Sequence, residues 1–63
     1  MTLYEQLETH IKYAKTSTIP RDNFHVSKGM IDMAYEFRAI TLDEYLRLDH
    51  KCVAEGINNP KYF

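Results

Sequence analysis

Apolar positions recur at helical spacing in three stretches of the chain. In the first, Leu3, Leu7, Ile11 and Ala14 fall on one face. Thr2-Leu3-Tyr4-Glu5 precedes them as a capping box, in which the Thr hydroxyl takes a backbone N–H and a Glu three residues on reaches back. Lys12 and Lys15 lie where cations favour the negative end of the helix dipole. The pattern predicts a helix from about Leu3 to Lys15. The polar segment Thr16-Ser17-Thr18 follows as a connection.

The second stretch opens near Pro20, a residue suited to a first helical turn, with Asp22 and Asn23 behind it. Its strong part runs from about Val26 to Arg38, and it carries two apolar stripes. Val26, Met30, Met33 and Phe37 form one; Phe24, Ile31 and Tyr35 form the other, on roughly the opposite side. A helix apolar on two sides is either central or offers one side to a partner. Gly29 costs such a helix about 1 kcal/mol relative to Ala.

The third stretch repeats the capping box at Thr41-Leu42-Asp43-Glu44, followed by Leu42, Tyr45, Leu46, Cys52 and Val53 on one side. It predicts a helix from about Leu42 to Glu55. Gly56 then stands as a left-handed C′ residue, with Ile57 making the hydrophobic contact of a Schellman ending. Ala39, Ile40 and Thr41 alone join helices two and three, which fits an antiparallel hairpin. Asn59-Pro60 cannot be helical, and the aromatic end Tyr62-Phe63 suggests a tail folded back onto the helices.

The expectation is therefore an all-α, single three-helix domain over residues 1–63, with a C-terminal helical hairpin and an irregular tail. Its core is expected from Leu3, Leu7, Ile11, Met30, Met33, Phe37, Leu42, Leu46 and Val53. The second stripe of helix two, Phe24, Ile31 and Tyr35, is left as the face for a partner or a second copy, together with Tyr62 and Phe63. The competing reading has the tail cover that stripe within the monomer. Asp49 falls between Tyr45, Leu46, Cys52 and Val53, where a carboxylate must find a donor or sit at the rim. His10 or a tyrosine is the expected partner in the first case.

Composition narrows the function. Leu, Ile, Val and Phe total 15 of 63 residues, enough for a compact core. Eight Lys and Arg against nine Asp and Glu leave a net charge of −1. That balance, with basic residues spread along the chain, argues against a dedicated nucleic-acid binder. Arg47 and Lys51 share a face, but Asp43 and Glu44 precede them, as in a solvated helix laced with ion pairs. No apolar run reaches the roughly 18 residues of a membrane span, and no signal-peptide pattern opens the chain. A cytoplasmic domain is expected.

Candidate chemistry is sparse. One cysteine excludes an internal disulfide. His50 and Cys52 would point about 200° apart on a helix, and His10 and His25 stand alone, so no metal or cofactor site is expected. Gly29 and Gly56 are the only glycines, so there is no phosphate-cradling loop. Cys52 lacks a base on its own face, and no catalytic role is expected. The five Tyr and three Phe are more than so small a core encloses, which points to protein–protein contact.

The segment Ile40-Thr41-Leu42-Asp43-Glu44-Tyr45-Leu46, entered directly from a helix, resembles the helical hairpin turn of short accessory domains in bacterial and phage proteins. The ending Glu55-Gly56-Ile57-Asn58-Asn59-Pro60-Lys61-Tyr62-Phe63 resembles that of small orphan reading frames from phages and prophages of Gram-positive bacteria. The similarity covers roughly residues 26–63. Some such frames are anti-CRISPR proteins, so the resemblance implies stoichiometric inhibition of a host defence protein, such as a type II CRISPR effector nuclease, in the host cytoplasm. It carries over no binding residue. A DNA-binding accessory or regulatory protein of a phage, or a structural homo-oligomer, is the alternative.

Overall fold

The computed structural model describes residues 1–63. Three helices pack around one core: α1 (Leu3–Thr16), α2 (Pro20–Glu36) and α3 (Leu42–Asp49). The last continues without a break into a π-helical segment, His50–Ile57, and a 3₁₀ turn at Pro60–Tyr62 closes the chain. The all-α three-helix expectation holds. No helix is long and apolar enough to cross a membrane.

Both capping boxes form. Thr2 Oγ1 accepts from the Glu5 N–H at 3.1 Å, and Glu5 Oε1 accepts from the Thr2 N–H at 2.9 Å. Thr41 and Glu44 repeat the exchange at the same distances. Two orphan donors at each helix start are thereby satisfied by residues three apart. Pro20 begins α2, where its missing N–H removes no helical bond.

The Schellman ending exists, but at α2 rather than after helix three. Arg38 takes a left-handed φ of 60°. Its N–H donates to the Tyr35 carbonyl at 2.9 Å, and the Ala39 N–H donates to the Ala34 carbonyl at 2.8 Å. These are the two bonds of the motif, with an arginine where glycine is the usual occupant. Gly56 has no positive φ and lies inside the π segment. What requires glycine there is contact: a Cβ would sit 2.8 Å from two ring carbons of Phe24.

The core is Leu7, Ile11, Ala14, Phe24, Ile31, Ile40, Leu48 and Cys52. This reverses the expectation for α2. Phe24 and Ile31 are fully buried, so they are not a partner face; Val26, Met30, Met33 and Phe37 are exposed. Leu3, Leu42 and Leu46 are exposed as well, and Val53 is only half-buried. The physical reason lies in the small residues that accompany each stripe. Ser27 lies between Phe24 and Ile31 at helical spacing, Cys52 and Gly56 meet Phe24 from the π segment, and Ala14 of α1 is buried as well. Small side chains let helix axes approach, so the stripe beside them closes and the Met-rich one stays outside.

The tail does cover the Phe24 end of the stripe. Tyr62 meets the Phe24 ring edge-on at 5.0 Å between centroids. Phe63 stays exposed, with the Arg21 guanidinium 4.5 Å above its ring. Tyr35 is half-buried and stacks on Tyr45 at 4.7 Å. Of the five residues expected to bind a partner, Phe63 alone remains broadly exposed.

Candidate protein-docking groove

The surface left by this packing is an open groove of about 610 Å³ between the start of α1 and the outer face of α2. Leu3 and Leu7 form one wall; Val26, Met30, Met33 and Phe37 form the other, with Gly29 among them. Eight of its nine lining residues are hydrophobic. Fractional exposure is 53% for Val26, 40% for Met30, 53% for Met33 and 75% for Phe37. Loose folding does not explain this. The total accessible surface is 4195 Å², matching the roughly 4,200 Å² expected of a compact monomer of this mass. The groove presents adaptable Met side chains and an aromatic, with no charged group among its lining residues.

Polar contacts hold the helices that frame it. His10 Nδ1 and the Ser27 hydroxyl share a hydrogen bond of 2.5 Å between α1 and α2. The pair has the residue types of a nucleophile and its base. Ser27, however, is 1% exposed, and neither residue lines any of the three surface grooves. A nucleophile must reach substrate, so this contact orders two helices. Seventeen residues separate the pair, and no sequence pattern announces it.

Lys28 joins α2 to α3. Its ammonium donates to Asp49, to Asp32 at 2.8 Å and to the Tyr45 hydroxyl at 3.2 Å, and that hydroxyl donates to Asp32 at 2.9 Å. Burial alone would lower the lysine's pKa, but the three acceptors outweigh it and hold it above its ordinary value. Burial likewise pushes Asp32 up, and the Lys28 and Tyr45 hydrogen bonds bring it below its ordinary value. Asp49 is therefore paired, but with Lys28 and not with His10 or a tyrosine. The register it fixes is that of α2 on α3.

On the far side of α1, Lys51 donates to Glu8 at 2.6 Å. That bond lowers the Glu8 pKa and raises that of Lys51. A second groove of about 450 Å³ adjoins this pair, lined by Tyr4, Leu46, Arg47, His50, Lys51 and Glu55. Its polar side chains are engaged: Arg47 with Asp43 at 3.0 Å, the His50 ring with the Glu55 carboxylate at 3.0 Å, and Lys51 with Glu8.

Cys52 is buried, and its thiol donates to the Phe24 carbonyl at 3.0 Å. Burial pushes its pKa up to about 11, which leaves it protonated and unreactive at neutral pH. No three His, Cys, Asp or Glu side chains are grouped to hold a metal ion.

The stripe that lines the large groove is legible in the sequence as apolar, but its periodicity alone reads as core. The available signal was the bulk and flexibility of its residues against the small residues beside the other stripe. Compared with protein-family models, with curated proteins and with solved structures, the chain matches none.

Proposed function

We propose that this protein acts by stoichiometric binding to another protein, through the groove between α1 and the outer face of α2. One observation carries the reading: Val26, Met30, Met33 and Phe37 are exposed on one helix face while the core is complete without them. An apolar, Met-rich channel between two helices suits the apolar face of a partner helix. The more concrete version, inhibition of a host defence protein such as a type II CRISPR effector nuclease in the host cytoplasm, rests on the resemblance of residues 26–63 to small phage frames.

The test is affinity capture from host lysate with the parent and with Met33→Glu, read by quantitative mass spectrometry. A target retained by the parent and lost with the variant supports the reading. Stoichiometric block of a purified type II effector's DNA cleavage, also lost with Met33→Glu, supports the concrete version. Equal capture by both proteins overturns the groove as the docking surface. Binding to duplex DNA that weakens steeply with salt would favour the alternative of a DNA-binding accessory protein.

A further inference from the structure

We propose that, in the absence of a target, the groove is covered by a second copy of the same chain, α2 against α2, about a two-fold axis through Met33. The inference deepens the docking reading and rests on it, because it names what occupies that surface in the free protein.

Gly29 is exposed on the groove face of α2. It lies inside α2, where glycine costs a helix about 1 kcal/mol relative to Ala. At Gly56 the missing side chain is explained within the chain, since the Phe24 ring occupies the space. At Gly29 nothing lies within 4 Å of where a Cβ would stand. The hollow is therefore not filled from within. Val26, Gly29, Met30 and Met33 stand at i, i+3, i+4 and i+7, the four corners of a hole that accepts one side chain from a facing helix.

The same helix carries the matching knob. Gly29, Met33 and Phe37 form one ridge at four-residue spacing, tapering from no side chain to a 75%-exposed ring. An antiparallel copy centred on Met33 brings position 37 of one chain opposite position 29 of the other, twice. The largest side chain of each ridge then meets the gap of its partner. Such i-to-j and j-to-i pairing is what a two-fold interface demands.

The area is consistent with a reversible dimer. Val26, Met30, Met33 and Phe37 of α2, with Leu3 at the groove's edge, are about half exposed, and at roughly 150–200 Å² each they present about 450 Å² per copy. Two copies bury about 900 Å² before any rim contact, at the small end of specific interfaces, where affinities are weak.

Sedimentation velocity from about 10 µM to about 1 mM tests the pairing, with three variants beside the parent. The parent is expected to shift from 7.5 kDa toward twice that mass as concentration rises. Gly29→Leu fills the hole and Phe37→Ala removes the knob; each should weaken self-association about tenfold or more while keeping its helical circular dichroism. The double variant moves the large side chain from one end of the ridge to the other, and should recover to within about threefold of the parent. A parent that stays monomeric at about 1 mM overturns the dimer. Two weakened single variants with no recovery in the double overturn the 29-to-37 register. Neither failure touches the docking reading, which is judged separately by target capture with Met33→Glu.

Discussion

Two glycines, given the same substitution, should respond with opposite signs. Gly29→Ala adds a methyl where no heavy atom lies within 4 Å, in a regular helix. The gain is the propensity difference, about 1 kcal/mol. Gly56→Ala adds the same methyl 2.8 Å from two carbons of the Phe24 ring and 3.0 Å from a third. Ordinary carbon contacts lie near 3.5–4.0 Å, so the ring must move. Phe24 has little room to do so. It is fully buried, Tyr62 stands edge-on against it, and its own carbonyl takes the Cys52 thiol. Overpacking of this kind costs about 1–3 kcal/mol. Offset by the glycine-to-alanine gain, the net loss is about 1 kcal/mol, and the two variants differ by about 2 kcal/mol. For a domain this small that separates their melting temperatures by roughly 8–16 °C, the Gly29 variant above the parent and the Gly56 variant below it. Thermal melts followed by circular dichroism at about 10 µM, where self-association contributes little, read this directly. Shifts of the same sign would refute the argument, because they would mean the Phe24–Gly56 contact does not constrain the core.

Three further outcomes follow from the same packing. Ile31→Ala should cost about 2–5 kcal/mol in urea unfolding, and Phe37→Ala less than about 0.5 kcal/mol in the monomer; comparable losses would restore the opposite face of α2 to the core. Arg38→Gly should raise stability by about 0.5–1 kcal/mol, because the left-handed C′ conformation strains any residue with a Cβ, less the stacking of Arg38 over Tyr35; a lower melting temperature would contradict the strain. The folded pKa values of Glu8 and Asp32 are depressed, so the stability they lend is present above their unfolded values near 4 and lost as pH falls through the folded ones. Lys51→Met should flatten the fall in melting temperature between about pH 5 and pH 2, and an unchanged slope would dismiss the Glu8 pair as a contributor.

Local grammar was legible in the sequence where the interacting residues are three or four apart. The two Thr-x-x-Glu boxes and the Pro20 start each need only their own turn to form, and each forms. The choice between the two stripes of α2 was not legible by hydrophobicity, because Val26, Met30, Met33 and Phe37 outweigh Phe24, Ile31 and Tyr35 in apolar content. Close approach decided it. Ser27 counts as polar in a periodicity reading, yet it is buried against His10 and lets α1 lie near. Gly56 was recognisable as a special position, but a cap and a contact leave the same letter in the sequence. The change from α- to π-helical bonding at His50 has no marker among the residues that undergo it. The Lys28–Asp49 pair, 21 residues apart, is created by the packing of α2 on α3.

The central claim is that the Met33 face of α2 lies outside the core and contacts protein. A photo-crosslinking amino acid placed at position 33, and in a control at position 9 on the exposed side of α1, tests it in cells expressing the protein. Irradiation should yield a discrete protein adduct from position 33 and little from position 9. An adduct at twice 7.5 kDa identifies a second copy, and a larger one identifies a target. No adduct from position 33, or equal yield from both positions, would contradict the account.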